Sequence, residues 1–197
     1  MPSAPPALPP RVDEMTREPA SFEAFLALPE GTPAQYIDGH IVMSPAPRLP
    51  HQDVVQNLYR ALFAYAAEHG GYVAVAPVDV YLPVGAVVQP DVLYVTADRR
   101  DRLSERGVEG APTLVTEVLS PSTAYLDVTS KRRLYEEADV EEYWVIDPGE
   151  RSVMVLSRER PGRAGLARTA YVYEAGPVAS AALAGFEAEA ADLFARP

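Results

Sequence analysis

The sequence predicts a mixed α/β (α+β) domain, and three observations lead there. Stretches of helical and strand periodicity are interleaved without the steady βαβ alternation of a doubly wound sheet. The chain has 197 residues, 48% of them hydrophobic and 23% charged, which is the balance of a globular protein. A chain of this length buries on the order of 70% of the surface its unfolded form exposes, so one core suffices without a covalent staple. None is available, because cysteine is absent; disulfides, thiol catalysis and thiolate–metal sites are excluded together.

Five of the first ten residues are proline. Residues 1–19 are therefore expected to be a Pro-rich disordered tail, and 20–197 a single domain. The tail fits neither a secretory signal nor a membrane-spanning helix, so a cytoplasmic protein without a membrane partner is expected. Ser21 before Phe22, Phe25, Leu26 and Leu28 reads as a capped short helix that stops at Pro29-Glu30-Gly31. Tyr36 to Met43 reads as a hairpin turning at Asp38-Gly39, and Pro45, Pro47 and Pro50 as an extended loop. From about Gln52 to His69, Val54, Val55, Leu58, Leu62, Tyr65 and Ala66 recur at helical spacing until Gly70-Gly71. Strands are expected at Tyr72 to Leu82, Val87 to Val95 and Thr113 to Leu119. Pro77 suggests a bulge or an edge and Pro90 an interrupted register. Arg99 to Gly110 is polar and loop-like. Asp127 to Ala138 reads as a helix, Tyr143 to Asp147 and Ser152 to Ser157 as strands joined at Asp147-Pro148-Gly149, and Arg160 to Arg168 as a hairpin tip. A strand at Ala170 to Glu174 and an Ala-rich C-terminal helix close the domain.

Several chemistries lack their residues. His40, His51 and His69 show no His-x-x-x-His spacing, and there is no Gly-x-Ser-x-Gly, no phosphate loop and no Gly-x-Gly-x-x-Gly. A net charge of −11 opposes non-specific binding to nucleic acid, so any such activity needs a local basic patch or a bound metal.

Two carboxylates stand out because they interrupt apolar strands: Asp91 in Gln89-Pro90-Asp91-Val92-Leu93-Tyr94-Val95, and Glu117 in Thr116-Glu117-Val118-Leu119-Ser120. A charge there is costly unless it is paired or holds a metal. If the strands are neighbours the two acids meet, and acids held together either share a proton or recruit a hard cation, Mg²⁺ or Mn²⁺. The alternative is that each sits at a solvated strand end or pairs with an arginine. Further on, Asp127, Lys131 and Tyr135 fall at i, i+4 and i+8, one row along a helix face. Lys131 is the single lysine among seventeen basic residues. With Arg132 and Arg133 beside it, it points to a need for a compact cation. The alternative is a solvated stripe with an ion pair worth roughly 0.3–0.5 kcal/mol.

Asp38-Gly39, Ser44-Pro45 followed by His51, Pro90-Asp91-Val92, the run Glu117 to Thr123, the Asp127/Lys131/Tyr135 row and Glu142 to Asp147 together resemble the Uma-two-like family of putative restriction endonucleases, within the PD-(D/E)XK nuclease superfamily. The resemblance spans roughly residues 20 to 175. It implies a restriction-endonuclease-like central mixed sheet flanked by helices, with Mg²⁺ (or Mn²⁺) bound by Asp91, Glu117 and the Val118 carbonyl. The catalytic set it implies is Asp91, Glu117 and Lys131. The usual lysine two positions after the acid is Leu119 here, and Lys131 matches the one this family supplies from the helix. Gln35 stands where relatives commonly carry a glutamate, which leaves fewer anionic ligands.

The function implied is metal-dependent hydrolysis of DNA, with a homodimer as the expected assembly. Asp127 and Tyr135 would fix the lysine, and His51 either contacts the phosphate or is a hydrogen-bonded structural residue. Arg99, Arg100, Arg102 and Arg106, with Arg132 and Arg133, are the basic concentrations that could track a backbone or form a solvated ion-pair surface. Tyr143 and Trp144 could stack on bases or belong to the core. The competing function is a catalytically weak or inactive module of the same fold that binds nucleic acid or a protein partner. Lys131→Arg keeps the charge, so a plasmid-cleavage assay of this variant should show loss of cleavage if the ammonium itself is required.

Overall fold

A computed structural model describes residues 17–44, 46–120, 127–158 and 168–196. β1 (Arg17–Pro19) joins a first sheet by pairing with β3 (His40–Met43), so these three residues of the expected tail form a strand; residues 1–16 lie outside the described residues. Ser21 caps α1 (Phe22–Leu26), its hydroxyl accepting from the Ala24 N–H at 3.2 Å. β2 (Ala34–Ile37) pairs with β3 through the Asp38-Gly39 turn, where φ is 52° and 76°, the left-handed pair such a turn requires. α2 (Leu49–His69) begins before Gln52 because Pro50 is accommodated in its first turn, where no backbone donor is needed.

The apolar stretches 72–82 and 87–95, each expected as one strand, are each two. β4 (Tyr72–Val75) and β5 (Val80–Leu82) part at Pro77, and β6 (Ala86–Val88) and β7 (Val92–Val95) part at Pro90. Proline supplies no ladder donor, so both arms of the hairpin break at the same level. β5 and β6 pair within the first sheet, and β4 and β7 pair within a second. The Ala76 N–H donates to the Asp91 carbonyl at 3.1 Å across the bend.

Arg99 to Gly110 is not a loop throughout. A 3₁₀ helix (Ala97–Arg102) leads into a small hairpin, β8 (Leu103–Ser104) and β9 (Gly107–Glu109), and β9 lies parallel to β5. Glycine is required at 107, since a Cβ there would stand 2.2 Å from the Asp79 carbonyl oxygen. β10 (Leu114–Val118) follows. The single helix expected over 127–138 is a π-helical turn (Asp127–Lys131) followed by α3 (Arg132–Glu137). β11 (Glu142–Asp147), β12 (Ser152–Arg158) and β13 (Arg168–Tyr173) come next; the expected hairpin tip, apart from its last residue Arg168, lies outside the described residues. The Ala-rich end is a ribbon, β14 (Pro177–Ala179) with β15 (Glu187–Glu189), and a one-turn helix, α4 (Ala190–Leu193). Phe186, Ala188 and Ala190 are buried while Glu187 and Glu189 are exposed, a period of two that favours a strand over alanine's helix propensity.

Among the described residues the first sheet runs β1-β3-β2-β6-β5-β9-β8 and the second β13-β12-β11-β10-β7-β4. The second sheet is mixed, because β10 and β11 are parallel and its other pairs antiparallel. Its two faces alternate along each strand. Leu114, Val118, Trp144, Ile146 and Val155 pack under Val54, Leu58 and Leu62 of α2 and under Leu183 and Phe186. Val115, Tyr143, Val145 and Leu156 face Leu134 and Tyr135 of α3 and the first sheet. Leu58 and Leu62, fully buried, each contribute roughly 1.5–3 kcal/mol of transfer free energy.

Glu142 is a fully buried acid that the packing satisfies without a cation. It accepts from Trp144 Nε1 at 2.6 Å, Ser157 Oγ at 2.9 Å, and the Ala181 and Ala182 N–H groups at 2.7 and 3.1 Å. This carboxylate pins the C-terminal segment to the sheet. Glu142→Ala strands two buried donors, Trp144 Nε1 and Ser157 Oγ, and two partly buried N–H groups, and should cost about 2–4 kcal/mol in urea unfolding, read by fluorescence of the sole tryptophan, Trp144.

Candidate active site

The bend in the long hairpin delivers Asp91. Gln89, Pro90 and Asp91 span the gap between β6 and β7, and this segment is held from the first sheet. The Gln89 N–H donates to Gln35 Oε1 at 2.9 Å, Gln35 Nε2 donates to Ser44 Oγ at 3.1 Å, and Gln89 Nε2 donates to Asp79 Oδ1 at 2.8 Å. Gln35 thus acts two residues upstream of Asp91 as a buried strut. It uses both ends of its amide, one as acceptor and one as donor.

The antiparallel register that pairs Val92 with Thr116 sets Asp91 opposite Glu117 one step further on. Their side chains live in different surroundings. Asp91 Oδ2 accepts from the Val118 N–H at 2.7 Å and lies 3.1 Å from His51 Nε2, with the His51 and Asp91 side chains 11% and 19% exposed. His51 comes from the first turn of α2, and its Nδ1 is buried without a protein partner, a polar atom left for water or a ligand. Glu117 points toward α3. Its Oε2 accepts from Lys131 Nζ at 2.8 Å and its Oε1 from the Tyr135 hydroxyl at 2.5 Å. Lys131 and Glu117 are 4% and 2% exposed, and Tyr135 is fully buried.

Lys131 and Tyr135 therefore converge on Glu117, although a π-helical turn and not a regular helix leads into them. The backbone of Asp127 belongs to that turn; its side chain lies outside the described residues. Five of the six arginines singled out in the sequence, all but the exposed Arg100, are engaged by other groups. Arg99 pairs with Glu141, Arg102 donates to the Ala111 carbonyl, and Arg106 pairs with Glu109 at 2.7 Å and lies over the Tyr81 ring. Arg132 pairs with Glu136 and Arg133 with Asp38 and Glu137. Tyr143 and Trp144 are fully buried in the core, so neither presents a ring for base stacking. Gln89 and Asp79 escaped the sequence reading. The one local signal beside them is Pro90, which suggests an interrupted register.

Among the described residues no group of three or more His, Asp or Glu side chains is arranged to hold a metal ion. Asp91 and Glu117 lie on adjacent strands in a register that sets them opposite one another, and carboxylate oxygens are the donors a hard cation takes. Mg²⁺ in such a site would keep several waters.

A family model described as "Putative restriction endonuclease" matches residues 22–191. No curated protein matches. Among solved structures, a putative nuclease from Anabaena variabilis is 21% identical with a TM-score of 0.72, over 89% of this chain and 98% of that one, which shows a shared fold.

Removing one partner of a buried ion pair leaves the other uncompensated. Lys131→Met should therefore cost about 3–5 kcal/mol in urea unfolding, whereas Lys131→Met/Glu117→Leu should cost much less than the sum of the single changes.

Proposed function

The chain belongs to the Uma2 family of putative restriction endonucleases, and on that premise we propose that it is a metal-dependent endonuclease that hydrolyses DNA phosphodiester bonds. The observation that supports the proposal is the pairing of β7 with β10, whose register sets Asp91 opposite Glu117, with the chain's single lysine donating to Glu117 from the next helical element. Asp91, Glu117 and the Val118 carbonyl would hold Mg²⁺ or Mn²⁺. When bound, the cation supplies Lewis acidity that polarises the scissile phosphate and lowers the pKa of water.

The protein's own groups do the rest. The Val118 N–H and His51 fix the Asp91 carboxylate, so its orientation costs little at the moment of reaction. Tyr135 orients Glu117. The Lys131 ammonium donates to the attacking water or to a phosphoryl oxygen, where charge develops. With a net charge of −11, a bound cation and that ammonium would supply attraction to the DNA backbone at the site itself. One site cuts one strand, so a double-strand cut calls for a homodimer.

A second reading has its own support: Gln35 supplies an amide where a carboxylate would add a ligand, and both Glu117 oxygens already have protein donors. On that reading the chain is a catalytically inactive module that binds nucleic acid or a protein partner.

Supercoiled plasmid incubated with the protein and Mg²⁺ or Mn²⁺ should be nicked or linearised, and Asp91→Asn should lower the rate by more than about 100-fold. A melting scan with Mn²⁺ a hundredfold above its Kd should show about 2.7 kcal/mol of added stability. No shift together with retained DNA binding would favour the second reading, and equal cleavage by Asp91→Asn would sink the first.

A further inference from the structure

We propose that the Lys131–Glu117 ion pair is a latch: in the resting chain the ammonium occupies the carboxylate a divalent cation needs, and cation binding moves Lys131 off Glu117 toward the substrate. The inference rests on Asp91 and Glu117 being the cation ligands, and it adds how that site is switched on.

Two observations meet here. Glu117 is 2% exposed, with one oxygen 2.8 Å from Lys131 Nζ and the other 2.5 Å from the Tyr135 hydroxyl. A divalent ion approaching at about 2.0–2.1 Å would sit within the repulsive field of that ammonium. Lys131, itself 4% exposed, has its ammonium on Glu117 and is shielded from a substrate in solution. One displacement resolves both conflicts, since it frees an anionic ligand and presents the cationic donor.

The element that carries the lysine suits such a movement. Lys131 ends a π-helical turn, Asp127–Lys131, and serves as the N-cap of the six-residue α3 without making a side-chain capping bond. A π turn is rare and is found often at functional sites. Conversion of that turn toward α geometry rotates Lys131 about the helix axis while α3 stays packed through Leu134 and Tyr135.

The latch also accounts for the lone lysine. An arginine at this position would grip both Glu117 oxygens with its planar fork, whereas an ammonium makes a point contact that a divalent cation can outcompete. Apparent metal affinity is then reduced by the fraction of chains that are open, so the site engages only above a threshold of free metal.

Lys131 carries the only ε-amine in the chain, which makes the wild-type protein its own probe. Amine acylation of the full chain, followed by mass spectrometry of the peptide containing Lys131, is compared with and without saturating Mn²⁺, with NaCl at matched ionic strength as control. Calorimetry on the same samples reports metal binding. The latch predicts labelling faster by about tenfold or more with Mn²⁺ and unchanged with NaCl. Binding heat with unchanged or slower labelling overturns the latch and leaves the metal site standing. Absence of binding overturns both. Lys131→Met, where it folds, should bind Mn²⁺ about tenfold more tightly than wild type, and weaker binding would also overturn the latch.

Discussion

The bend at Gln89-Pro90-Asp91 is the constraint on which the rest of the molecule depends. A single long hairpin leaves one sheet and enters another there, so the bend sets the order of strands in both. It is held by hydrogen bonds made in sequence: Gln35 takes the Gln89 N–H, Gln89 takes Asp79, and Asp91 takes the Val118 N–H of the neighbouring strand. The same residues that let the chain change sheets aim a carboxylate at the end of β10. Architecture and site share one set of contacts, and neither can drift without the other.

Three acids of the second sheet show how surroundings decide what a carboxylate is for. Glu142 is fully buried and served by neutral donors alone, which suits a structural anchor. Glu117 is buried too, but against an ammonium and a phenol, an arrangement that stores charge inside the protein. Asp91 keeps partial access to solvent and is oriented by a backbone N–H and an imidazole. The sheet's alternation sorts them: Glu117 points toward α3, whereas Glu142 and Trp144 lie on the α2 side.

Local signals carried the sequence reading where the chemistry was local. The Asp38-Gly39 turn, the Ser21 cap, the body of α2 and the apolar run of β10 each follow from residues within a few positions. The two apolar runs that carry Asp91 and Glu117 were legible as strands, and the ladder between β7 and β10 makes them neighbours. The split of 72–82 and 87–95 was not, since hydrophobicity runs on through Pro77 and Pro90 when both sheets are buried. Arg17–Pro19 owes its strand to pairing with β3, a partner that no local pattern reveals. The same holds for Gln35, whose value lies in a bond to a residue 54 positions away. The π-helical turn escaped because a regular row of Asp127, Lys131 and Tyr135 is what i, i+4 spacing alone suggests.

α2 links parts of the molecule that the sheets keep apart. Its first turn supplies His51 to Asp91. Further along, Asn57 donates to the Leu193 and Ala195 carbonyls at 3.2 and 2.7 Å, and Tyr65 to that of Ala184 at 3.1 Å. A helix of 21 residues is about 30 Å long and stiff on that scale. It works as a lever with the C-terminal segment clamped along its shaft and an imidazole at its tip. The last residues of the chain, remote from Asp91 in sequence, are mechanically joined to the orientation of its carboxylate.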